Sequence, residues 1–131
     1  MSDIPNVQGT TTFAEIETII SEYLAARDWL DNPSRSIATS IVLEAGELLE
    51  HYQWSDKPVG SIEEVGAELA DIMIYAFQFA HTNNIDIAQA ILNKLEKTAK
   101  KYPAEAFKNK DSAEMHEAWM TAKRNYKKES L

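Results

Sequence analysis

Residues 37–81, IATSIVLEAGELLEHYQWSDKPVGSIEEVGAELADIMIYAFQFAH, decide how the chain folds. They hold two helical patterns on either side of a turn segment, residues 55–60, which contains Asp56, Pro58 and Gly60. Ile37, Ile41, Leu48 and Tyr52 recur at helical spacing in the first pattern. Val65, Ile72, Tyr75 and Phe79 do so in the second. Each stripe also carries two acids three residues apart: Glu44 with Glu47, and Glu68 with Asp71. Residues at that spacing share a helix face, so each pair offers two carboxylates to one point in space. Ionised carboxylates set against an apolar stripe are costly unless partnered. Four of them on adjacent helices point to bound cations.

Working outward, Thr12 and Glu15 form a capping-box signature. Phe13, Ile16, Ile19, Ile20, Tyr23, Leu24 and Leu30 then predict a first helix of about five turns. It closes over residues 27–30 and is stopped by Asp31, Asn32 and Pro33. The second helix is expected from Ser34 or Ser36 to about Trp54. The third opens on a repeated capping box, Ser61 with Glu64, and lasts to Asn83 or Asn84. A fourth runs from near Asp86 to Tyr102 and Pro103, and a last one from Asp111 and Glu114 to about Lys123. Met115, Ala118, Trp119 and Ala122 form the apolar side of that last helix. Residues 1–11 read as a loose lead-in and residues 124–131 as a charged, frayed tail. Short connections imply antiparallel neighbours, so the two acid pairs can meet. Gly46 and Gly66 are expected to permit close approach of a helix or ligand. The expected fold is all-α: an antiparallel four-helix-bundle-type protomer with an additional C-terminal helix. It forms one domain over residues 1–131, with a motif core at about 23–103 and the extra helix at 111–124.

Bulk composition narrows the function. The chain has 131 residues, 44% apolar and 26% charged, with four Gly and four Pro, which suits long regular elements. Its 21 acidic against 13 basic residues give a net charge of −8. That balance disfavours nucleic acid as a partner and suits divalent cations. The absence of cysteine excludes disulfides and thiolate metal sites. No apolar run approaches the roughly 20 residues of a membrane span, and residues 1–9 lack a signal pattern. A cytoplasmic protein without membrane partners is expected.

Oxygen ligands without thiolate or paired imidazole select hard cations, Mg²⁺ first and Mn²⁺ as a substitute. Mg²⁺ binds through few carboxylates together with substrate phosphates, so the site implies a phosphate-bearing substrate. A di-iron centre would need Glu-x-x-His, which is missing; His51 follows Glu47 by four. Glu50, Glu63 and Glu64 read as solvated or capping residues. Base recognition calls for flat rings, and Trp29, Trp54 and Tyr75 are available, Tyr75 one turn after Asp71.

The series Glu44-Ala-Gly-Glu47-Leu, Gln53-Trp54, Glu68-Leu-Ala-Asp71-Ile-Met-Ile-Tyr75 and Lys101-Tyr102-Pro103 resembles the MazG-like, all-α nucleoside triphosphate pyrophosphohydrolases. Arg27-Asp28-Trp29 and Pro33 with Arg35 resemble the dCTP pyrophosphatase branch. The resemblance covers residues 23–103. It implies Mg²⁺-dependent hydrolysis of a (deoxy)nucleoside triphosphate to monophosphate and pyrophosphate, as nucleotide-pool house-cleaning. It also implies a homodimer or homotetramer with sites completed between subunits. Glu44, Glu47, Glu68 and Asp71 would then be the catalytic and metal-binding acids. Trp29, Trp54 and Tyr75 would meet the base. Lys94, Lys97, Lys101 and Tyr102 match the Lys-rich segment before Tyr-Pro, and Arg35 could reach the same anion. Thr98 stands where the family usually has Asn, and Ser36 where Asn is frequent, which leaves the preferred substrate open. dUTP and a phosphoribosyl nucleotide are alternatives within the same chemistry. A non-catalytic acidic bundle holding a structural cation or a protein partner is the alternative from another class.

Overall fold

The structure, a computed structural model, describes Ile4, Gly9 and residues 11–129, the side chains of residues 128 and 129 excepted. Among the described residues there are six helices and no strand, so the protein is all-α. The helices are α1 (Phe13–Ala25), α2 (Ser34–Glu50), α3 (Ile62–Thr82), α4 (Ile87–Lys101), α5 (Ala104–Phe107) and α6 (Ser112–Glu129). No described helix is long and apolar enough to cross a membrane. The described residues fall into two compact units, one reaching to Ile87 and the other starting at Ala88.

In the first unit, both expected capping boxes form. Thr12 and Ser61 each accept from the amide three residues on, and the Glu15 and Glu64 side chains reach back to the cap amides. α1 ends earlier than its periodicity predicts. Asp28 takes a left-handed φ of 55°, and the Trp29 amide turns back to the Leu24 carbonyl at 3.0 Å. Asp tolerates that conformation through local hydrogen bonding, so the chain leaves the helix before Trp29. α2 also stops short of Trp54. The His51 carbonyl accepts from the Val59 amide at 2.9 Å, which closes the connection to α3. Asn84, with φ of 53°, ends α3 in the same way as Asp28 ends α1.

α2 and α3 form the most extensive helix pair, and α1 packs on α3. Ser34 at the start of α2 hydrogen-bonds Asn83 at the end of α3, and His51 beyond the end of α2 meets Glu68 near the start of α3. The pair is therefore antiparallel. Its inner face is the expected stripe: Ile37 is buried, and Ile41, Glu44, Leu48, Tyr52, Val65, Glu68, Ile72, Tyr75 and Phe79 are half-buried. Gly46 and Gly66 do not serve close packing here. A Cβ built on either meets nothing within 4 Å. Gly60 is the glycine whose space is taken, by the His51 ring and the Glu64 carboxylate.

The second unit comprises most of α4, then α5 and α6. α5, a single turn after Pro103, has no counterpart in the sequence expectation; it packs on α6, and Tyr102 meets Phe107 edge-on at 5.7 Å. α6 continues to Glu129, so the segment read as a frayed tail is helical for most of its length. Its charges alternate with Ala122 and Tyr126, which keep a half-buried side through the last turns. Most of the lead-in at residues 1–11, and residues 130–131 of the tail, lie outside the described residues.

Candidate functional site

α2 and α3 bring three of the four singled-out acids together. One carboxylate oxygen each of Glu44, Glu68 and Asp71 lies within 4.8 Å of the others. Oxygens bound to one Mg²⁺ at about 2.1 Å sit at most about 4.2 Å apart, so a small side-chain adjustment gathers all three on a common ion. Glu47 stands outside this trio and is more exposed than Glu44 and Glu68, and its carboxyl is near enough to raise the pKa of both.

The electrostatics fit a cation. Glu44 Oε2 is shut away from solvent without a hydrogen-bond partner among the described residues. Desolvation raises the Glu44 pKa, helped by the hydrogen bond to Glu47 and by repulsion from Glu47, Asp71 and Glu68. Glu68 is raised for the same leading reason, again with Glu47 contributing, and is partly offset by His51. His51 Nε2 lies 3.7 Å from Glu68 Oε1, while its Nδ1 accepts from the Gly60 amide at 3.3 Å. The imidazole is thus a neighbour of the acids rather than a fifth member of the cluster. Carboxylates crowded so closely repel one another unless protonated or shared with a cation, and an all-oxygen donor set suits Mg²⁺ or Mn²⁺.

Beside the acids lies a cavity of about 480 Å³ lined by Tyr23, Leu24, Trp29, Asn32, Asp71, Ile74, Tyr75 and Gln78. Asp71 thus borders the same space as the Trp29 and Tyr75 rings. Trp29 is half exposed and meets Tyr23 edge-on at 6.4 Å, with the Arg27 guanidinium 3.7 Å from the Tyr23 ring centre. Two lining residues escaped the sequence reading. Gln78 is a buried polar side chain whose Nε2 donates to the Trp29 carbonyl at 2.8 Å, and Asn32 offers an amide to the cavity. Both could have been sought as polar residues inside an apolar pattern or beside a turn. The remaining expectations are distributed differently. Arg35 lies exposed in the first turn of α2, and Trp54 is 84% exposed on the α2–α3 connection. In the second unit, Lys94, Lys97, Thr98, Lys101 and Tyr102 line one cavity of about 230 Å³, together with Tyr126.

The chain is similar to several known proteins. It is 35% identical over 101 residues to dCTP pyrophosphatase 1 of Bos taurus, covering 70% of this chain and 60% of that protein. It is 30% identical over 105 residues to dCTP pyrophosphatase 1 of Homo sapiens, covering 71% and 60%. The chain thus spans 60% of the length of these curated relatives. A crystal structure of a pyrophosphatase from Archaeoglobus fulgidus matches with a TM-score of 0.60 at 30% identity, over 75% of this chain and 99% of that one. Residues 39–115, from within α2 to the start of α6, match the MazG-like family. The chain belongs to the MazG-like family.

Proposed function

We propose that the chain is a cytoplasmic nucleoside triphosphate pyrophosphohydrolase that uses Mg²⁺, with Mn²⁺ as a substitute. It hydrolyses a (deoxy)nucleoside triphosphate, dCTP-like, to the monophosphate and pyrophosphate. The observation that carries this reading is the cluster of Glu44, Glu68 and Asp71 oxygens beside a cavity walled by Trp29 and Tyr75. The names of the relatives support it.

Glu44, Glu47, Glu68 and Asp71 would hold the metal, which would give the buried, unpartnered Glu44 Oε2 a partner. A Mg²⁺ ion held there would neutralise phosphate charge and would lower the pKa of an attacking water. Glu47 is more exposed than Glu44 and Glu68 and acts on the pKa of both, and we assign it the proton of that water. The base lies between Trp29 and Tyr75, with Asn32 at its edge. Lys94, Lys97 and Lys101 are the phosphate contacts.

Large apolar side chains on the outer faces of α2 and α3 support a homodimer or homotetramer. Val42, Leu43, Leu49 and Ile62 are each at least 63% exposed, apolar side chains that an assembly would cover. Trp54 would find its contact in such an assembly. Incubating a panel of nucleotides with Mg²⁺ or Mn²⁺ and assaying both pyrophosphate and orthophosphate tests the function. Pyrophosphate from at least one nucleotide is expected. Release of neither product from any would leave the acids as a structural or partner-binding cluster.

A further inference from the structure

α4 places Lys94, Lys97 and Lys101 at i, i+3 and i+7, on one helix face. Like charges so spaced repel, and a neighbouring acid ordinarily relieves them. Lys100, on another side of the helix, has such an acid: Glu96 lies 3.4 Å away. Among the described residues, no carboxylate pairs with the other three. What meets them instead is an aromatic ring from α6. Tyr126 presents its ring centre 4.4 Å from Lys101 Nζ and 5.6 Å from Lys97 Nζ. Tyr102 faces Lys101 from another side at 5.2 Å. A ring face attracts ammonium groups without neutralising them. The charges are therefore held in place and stay available.

The cavity enclosed by these residues measures about 230 Å³ and is lined by three ammonium groups, the Thr98 hydroxyl and two tyrosines. A water molecule occupies about 30 Å³ in the liquid, so the space suits a larger guest. The lining donates hydrogen bonds and positive charge, with no carboxylate in it, which is the complement of a phosphate chain.

We propose that Tyr126 is a positioning residue that completes an anion pocket for a phosphate chain by fixing Lys97 and Lys101, and that this gives the C-terminal helix a part in substrate binding. Only the identity of the natural anion rests on the pyrophosphohydrolase reading. The pocket itself stands on α4 and α6.

Titration of the full chain with inorganic triphosphate in the presence of EDTA tests the pocket apart from the acids, because without metal the acid cluster repels this probe. Wild type should bind. Tyr126→Ala should weaken binding about tenfold, the equivalent of one lost charge-assisted contact. Tyr126→Phe keeps the ring over both lysines and should lose less, with an unchanged melting curve. Lys97→Ala should cost less in the Tyr126→Ala background than in wild type, because Tyr126 acts through that lysine. Wild-type affinity in a folded Tyr126→Ala protein, multiplicative losses in the double variant, or a wild type that does not bind metal-free triphosphate would each overturn the proposal. Should Tyr126→Ala not fold, Tyr126→Leu, which keeps an apolar side chain on α6 but removes the ring, carries the same comparison with and without Lys97→Ala. Tyr126-dependent triphosphate binding in a chain that hydrolyses no nucleotide would uphold the pocket and reject the pyrophosphohydrolase reading. Hydrolysis without such binding would do the reverse.

Discussion

Gln78 donates through Nε2 to the backbone carbonyl of Trp29 at 2.8 Å, tying the last turns of α3 to the segment that follows α1. Gln78 is 2% exposed, so its amide is buried and the Trp29 carbonyl is the partner that satisfies it. The bond sets where the indole enters the cavity beside Asp71. Replacing Gln78 with Ala is expected to destabilise the fold by about 1–3 kcal/mol in denaturant titration, the cost of a buried group left unpaired. It should also raise KM for the nucleotide more than it lowers kcat, because the base wall moves while the acids stay. An unchanged KM would remove Trp29 from the binding site.

Glu47 is the acid assigned to proton transfer. Glu47→Gln should lower kcat by about 100-fold or more, the usual range for a positioned general base. Helical circular dichroism should be unchanged, since the side chain is exposed and its helix retains its packing. Turnover within a few-fold of wild type would return that role to Glu44, Glu68 or Asp71.

The raised pKa values of Glu44 and Glu68 have a definite consequence for stability. Between the ordinary value of 4.5 and their raised folded values, the native state binds more protons than the unfolded chain. Their contribution to stability therefore falls as pH rises through that window. A bound metal would remove the repulsion by sharing the ionised oxygens. Thermal melts should show a larger Mg²⁺ stabilisation near neutral pH than near the ordinary carboxylate pKa. Glu44→Gln should flatten the metal-free pH dependence. Equal Mg²⁺ effects at both ends would contradict a site made of these acids.

The outer faces of α2 and α3 carry Leu43 at 63% and Leu49 at 65% exposure. Light scattering at micromolar concentration should give a mass of two or four chains. Leu43→Glu with Leu49→Glu should shift it toward one chain by placing charge in the apolar contact. A wild-type mass of one chain would contradict the assembly.

Much of the fold is legible in the sequence because periodicity and capping are local. The stripe from Ile37 to Phe79 and both capping boxes occur where their spacing puts them. Helix ends are harder to read. Asp28 and Asn84 terminate α1 and α3 by adopting left-handed backbone, a conformation either residue can also decline. α6 outruns its expected end because Ala122 and Tyr126 continue its half-buried side, a preference set by tertiary contact and not by the charged composition. Glu44, Glu68 and Asp71 could be read as one group, since i, i+3 spacing on antiparallel helices leaves few other arrangements. Gln78 and Tyr126 could not. Nothing local marks a glutamine as the partner of a carbonyl 49 positions away, or a tyrosine on α6 as the cover of two lysines on α4.

The central claim is that this acid cluster serves cleavage between the α and β phosphates of a nucleotide. Phosphorus NMR of dCTP with the protein and Mg²⁺ tests it most directly. The account predicts dCMP and pyrophosphate in equal amounts, with orthophosphate absent, and loss of both products on Glu68→Gln. Formation of dCDP with orthophosphate, or undiminished turnover by Glu68→Gln, would contradict it.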